Sequence, residues 1–133
     1  MNPVDVPTPE TGGQPEPAAP PETAAEAVDL GALSAELLTA AATDGGGKAS
    51  RLVVHGPRQR AVLMAILAGG GLAEHGSPPA ATLHVLSGRV RLYVGDEREW
   101  FVAAGGLVPI PPDRHAVDAL EDSVVLLTVT LGG

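Results

Sequence analysis

The hydrophobic positions of this chain change period twice. Residues 1 to about 28 show no period at all: Pro, Glu, Ala and Thr dominate, and seven of the 13 prolines fall here. Such a stretch has too little apolar area to offset the entropy of ordering it, so 1–28 is expected to be a disordered leader. From Asp29 the leucines Leu30, Leu33, Leu37 and Leu38 fall at i, i+3, i+7 and i+8. That spacing places them in one stripe on a helix, which Asp29 caps and Gly45-Gly46-Gly47 ends. The stripe is expected to lie against the domain or a partner subunit, with a free-standing interaction helix as the alternative.

After the glycines the pattern becomes strand-like. Arg51 to His55 is a short candidate, and Arg60 to Ala68 is longer and apolar on both faces, as in a strand buried between two sheets. Helix remains open for the second, because Ala, Leu and Met are good helix formers; the turn residues at both ends favour strand. Leu72 to His75 and Ala81 to Leu86 follow. Arg89 to Val94 then alternates, with Arg89, Arg91 and Tyr93 on one face and Val90, Leu92 and Val94 on the other. Glu99 to Ala103, Leu107 to Ile110, Arg114 to Ala119 and Ser123 to Leu131 complete the set. Short strands separated by Gly, Pro and Asp turns about every 8 to 12 residues predict an all-β sandwich or barrel.

Composition bounds what such a barrel can be. At 133 residues one domain is expected, divided into the leader at 1–28, the helix and glycine linker at 29–47 and the barrel at 48–133. The chain has one Phe, one Trp and one Tyr, so Val, Leu, Ile and Ala must fill the core. At about 25 cal/mol per Å², side chains this small suffice only if many strands contribute. The net charge of −8 belongs to the leader and helix: residues 1–47 hold eight acids and no Lys or Arg, while 48–133 hold eight of each sign. With no basic cluster, nucleic-acid binding is disfavoured. The absence of cysteine removes disulfides, thiolate catalysis and Cys-ligated zinc. No basic n-region with an apolar core opens the chain, and no uncharged apolar run reaches about 18 residues. The expectation is a soluble, cytoplasmic protein with no membrane partner.

Candidate chemistry rests on four histidines. His75 closes a strand before a loop, and His115 opens one after Pro111-Pro112-Asp113. If those strands are neighbours, both positions serve one barrel mouth, as a transition metal bound by neutral imidazoles needs. His84 shares a strand face with Thr82 and Leu86, opposite the aliphatic Ala81, Leu83 and Val85, and is expected to face outward or into a subunit interface. His55, before Gly56-Pro57, has no assignable partner.

These positions resemble the cupin superfamily. Its first motif, G(X)5HXH(X)3-4E(X)6G, lies over Gly69 to Gly88 without a gap: Gly69 takes the first glycine, His75 the first histidine and Gly88 the closing glycine. Ser77 stands in place of the second histidine and Ala81 in place of the glutamate. Its second motif, G(X)5PXG(X)2H, is matched by Gly105, Pro111 and His115, with Asp113 for the glycine and a turn one residue shorter. The resemblance covers about half the chain. It implies a cupin-type jelly-roll β-barrel, a homodimer, and a site that in complete members holds Fe, Mn, Zn or Ni on three His and one Glu. Carried over residue by residue, His75 and His115 alone remain as metal ligands; Asp113 has the right parity but lies in the turn, and Glu74 faces away in an extended strand. The expected function is therefore a small cupin that binds a small molecule, or loosely a divalent metal, between His75 and His115. The alternatives are a metal-dependent dioxygenase or isomerase using the same pair, and a structural barrel with no ligand.

Overall fold

A computed structural model of the chain describes residues 27–44, 46–75 and 80–131, with the backbone alone for Glu74 and His75. Nearly all of the expected leader, and Ser77, lie outside the described residues. Among the described residues one helix, α1 (Leu30–Thr43), precedes nine strands. These are β1 (Lys48–His55), β2 (Gln59–Ile66), β3 (Gly71–His75), β4 (Ala80–Ser87), β5 (Arg89–Val94), β6 (Arg98–Ala103), β7 (Leu107–Pro109), β8 (His115–Ala119) and β9 (Ser123–Thr130). They form a five-stranded sheet in the order β1-β2-β9-β4-β7 and a four-stranded sheet in the order β3-β8-β5-β6. Every pairing is antiparallel, and the two sheets face each other as a jelly roll.

Alternation along the strands fills the space between the sheets. Ile66, Leu83, Val85 and Val125 from one sheet meet Val90, Leu92, Val102, Val117 and Ala119 from the other in a single buried cluster, with Met64, Leu72, Trp100 and Leu127 packed against it. The remaining apolar face of β2 has a different cover from the one its sequence suggests. The strand is buried on both sides, but its outer side lies under a helix and not a second sheet. Leu63 and Ala65 of β2 and Val124 of β9 form a second cluster with Leu33, Leu37 and Ala41 of α1. The leucine stripe thus packs on its own barrel. Asp29 caps α1 as expected, its Oδ1 accepting the Ala32 N–H at 3.0 Å, a bond whose loss costs about 1 kcal/mol.

Among the described residues the four-stranded sheet has no such cover. On its outer face Arg91 stacks 3.9 Å from the Tyr93 ring centroid and bridges Glu99 at 2.6 Å and Asp118 at 3.3 Å. The hydrogen bond to Glu99, foremost, holds the Arg91 guanidinium above its ordinary pKa. One sheet therefore buries its outer surface under leucines, and the other carries ion pairs on its outer face.

Two glycines of the first motif have backbones that side chains rarely adopt: Gly69 at φ 87° and Gly88 at φ 82°. A Cβ on Gly88 would also collide with Ser123 and the Asp122 carbonyl. Ser123, fully buried, accepts the Arg89 N–H at 3.0 Å and donates to the Glu121 carbonyl at 2.8 Å. The turn between β4 and β5 is thus locked to the start of β9.

Candidate functional site

Strand register sorts the inner face of the four-stranded sheet into rows. Val102, Val90 and Ala119 lie side by side at one end. Trp100, Leu92, Val117 and Leu72 form the next row. In the third row Arg98 pairs with Val94, and His75 pairs with His115. One step on from the pair Tyr93 and Ala116, Val94 comes beside His115. The rows run from wholly apolar to polar, and the third marks the mouth.

The five-stranded sheet presents its own rows at the same end. Arg60 pairs with Val129, and Val129 with Ala81. Below them Leu83 lies between Leu127 and Val108.

His115 belongs to the inner face by its parity with Val117 and Ala119, and it is only 3% exposed. Its Nδ1 lies 3.0 Å from the Asp113 carbonyl oxygen. A carbonyl only accepts, so Nδ1 carries a proton and donates it in this contact, which orients the ring. Sequence reasoning missed this orienting bond. Its one trace is the turn Pro111-Pro112-Asp113, which folds back on the residue that follows it. The Asp113 carboxylate, considered as a ligand from sequence, is engaged by the Arg98 guanidinium.

His75 reaches the same row by an irregularity in β3. Three steps from Leu72 to His75 match two steps from Val117 to His115, so β3 carries one extra residue there. The expected neighbourhood of the two strands holds at the backbone; the side chains of His75 and Glu74 lie outside the described residues. Neither of the other two histidines shares the row of His75 and His115. His84, half-buried, takes the strand face opposite Leu83 and Val85, with Leu126 as its register partner. His55 ends β1, exposed, opposite Arg60.

The donors do not fit the metal centre that complete cupins carry. Ala81, in the place of the glutamate, sits on the inner mouth row with a methyl group, and Ser77 replaces a histidine. Among the described residues no group of three or more His, Cys, Asp or Glu could hold a metal ion. Two histidine positions leave most of a coordination sphere to water.

A cavity of about 380 Å³ lies on the other side of this sheet, against Gly71, Ala73, Tyr93, Ala116 and Asp118. Its polar groups are already engaged: the Tyr93 hydroxyl donates to Asp118 at 3.3 Å, and Asp118 also holds Arg91. Among the described residues no helix is long and apolar enough to cross a membrane.

No family model and no curated protein matches the chain. Its fold does match solved structures. A conserved protein of unknown function from Streptococcus pyogenes is 23% identical, over 82% of this chain and 90% of that one, with a TM-score of 0.63. A cupin superfamily protein from Desulfitobacterium hafniense DCB-2 is 14% identical, over 65% of this chain and 80% of that one, with a TM-score of 0.60. KdgF from Halomonas sp. is 21% identical, over 66% of this chain and 83% of that one, with a TM-score of 0.58. Likeness at these identities concerns the path of the chain and leaves the chemistry to its own residues.

Proposed function

The chain is a small protein of the cupin fold, and from that premise we propose that it is a binding module whose site is the barrel mouth between His75 and His115. The observation that carries this reading is His115 itself: a 3% exposed imidazole above an apolar interior, oriented by its Nδ1 bond to the Asp113 carbonyl. A mostly apolar pocket with a few fixed polar groups is what a small-molecule site requires. The ligand's apolar body would lie against the half-buried Trp100, above the buried row of Leu92 and Val117, and its polar group would meet His115 at the mouth.

A second reading, a metal-dependent enzyme of dioxygenase or isomerase type, draws on one observation, the register pairing of His75 with His115. In it the pair would hold Fe, Mn, Zn or Ni loosely, and the metal would supply Lewis acidity. The reduced donor set favours the first reading.

One experiment separates them. Purified protein and a His75→Ala, His115→Ala double variant are supplemented with each ion, analysed for metal, and screened against a fragment library by ligand-observed NMR. The binding-module reading expects equal, substoichiometric metal in both proteins and fragment binding that the double variant loses. One metal per chain, lost in the double variant, would replace it with the metalloenzyme. No fragment bound and no metal would leave a structural barrel. We propose further that the protein is a cytoplasmic homodimer; a sedimentation mass equal to one chain at micromolar concentration overturns the dimer.

A further inference from the structure

Two guanidiniums occupy inner-face positions at the mouth. Arg98 shares its strand face with Trp100 and Val102, and its guanidinium carbon lies 5.8 Å from the Trp100 ring centroid. Arg60 shares the face of Met64 and Ile66 on the opposite sheet, and no ion pair joins it to another described residue. The surrounding turns carry Arg58 and Arg114 against Asp96 and Glu97, which offset each other in charge. The Asp113 carboxylate is Arg98's partner. Among the described side chains the inner mouth thus has more cation than anion, above a row of Trp100, Leu92 and Val117.

We infer that Arg98 is the charge anchor for a carboxylate-bearing small molecule, which takes the guanidinium in exchange for Asp113. The inference rests on the reading of the mouth as a ligand site and names the class of ligand. Three features carry it. The Arg98–Asp113 pair demonstrates that a carboxylate fits this guanidinium in this place, and a planar fork suits carboxylate bidentately. The two side chains are 48% and 52% exposed, so the pair is a solvent-screened surface ion pair and exchange costs little. Finally, Arg98 and Trp100 stand two residues apart on one face of β6. A ligand whose carboxylate meets Arg98 therefore lays its apolar part over the half-buried indole at the mouth. Asp113 is an internal competitor, which yields Arg98 to a stronger carboxylate.

The test uses the full chain and the single tryptophan, whose indole N–H gives one resolved signal a row below Arg98. Hexanoate and benzoate are titrated beside hexanamide and benzamide, which share the apolar bodies without the charge, in buffer free of other carboxylates. The carboxylates are expected to shift the Trp100 signal saturably and to bind about tenfold more tightly than the amides, a difference of about 1.4 kcal/mol. Arg98→Gln is expected to abolish that preference, with Arg98→Lys intermediate. Asp113→Asn is expected to tighten carboxylate binding several-fold, whereas a merely structural Asp113 would give weaker binding. Equal affinity for acid and amide, or carboxylate binding indifferent to Arg98→Gln, overturns the anchor and leaves the binding module standing. A Trp100 signal that no probe moves overturns both.

Discussion

The closed end and the mouth of this barrel are built from the same strands, yet they differ in what each row of side chains does. At the closed end Val90, Val102 and Ala119 meet Val85 and Val125, all within 8% of complete burial. At the mouth the corresponding rows hold Arg98, Val94, His115 and the His75 position, facing Arg60, Val129 and Ala81. The two ends are a few strand steps apart. Stability is concentrated in rows whose members can all be apolar, and recognition falls to the row where the strands meet their loops. A site of this kind can change its chemistry without disturbing the rows beneath it.

The comparison breaks most readily at Leu92, which is fully buried in the row between the two ends. Leu92→Ala should cost about 2–5 kcal/mol in urea unfolding, the range for a leucine whose cavity cannot collapse. A loss under about 1 kcal/mol would mean that the interior is not close-packed and that the contrast between the ends is overstated. Next in size is Gly88→Ala at the closed end. The left-handed backbone and the collision with Ser123 and Asp122 predict a loss of about 1–3 kcal/mol. Gly69 has the same sign of φ at 87° but nothing near its missing Cβ, so Gly69→Ala should cost less than Gly88→Ala in the same assay. Equal losses would show that backbone strain alone, and not the lock onto β9, matters at Gly88.

The two ends were also unequally legible from sequence. Nine strands and their turns were readable because period-two alternation and glycine pairs are local signals, and the strand limits differ from those expected by three residues at most. The double-sided apolarity of β2 was readable as burial on both faces. What covers it was not, since a leucine stripe and an apolar strand say that each needs a partner without saying which. At the mouth the two histidines could be paired by motif, but two other features could not be read. Arg98 shares a face with His115 only through the registers of β5 with β6 and with β8, which are set by long-range pairing. The bond that orients His115 comes from a backbone carbonyl, and carbonyls are invisible in a residue pattern. The extra residue in β3 is likewise a property of pairing, and it decides which residue of that strand stands opposite His115.

The smallest stability effect is expected where the largest functional one is. Arg98→Gln removes an ion pair whose members are 48% and 52% exposed, and such pairs contribute about 0–1 kcal/mol. The guanidinium also rests near Trp100 at 5.8 Å, beyond the closest stacking distances, so little packing is lost with it. Thermal unfolding of Arg98→Gln should therefore lie within the shift produced by about 1 kcal/mol, and well short of Leu92→Ala. If Arg98→Gln instead unfolded the chain as Leu92→Ala does, the pair with Asp113 would be holding the turn before β8, and through the Asp113 carbonyl the ring of His115. Mouth and interior would then be one cooperative unit. If the variant is as stable as the parent, the mouth can exchange partners freely on a barrel that does not depend on them, which is the condition for Asp113 to yield Arg98 to a ligand.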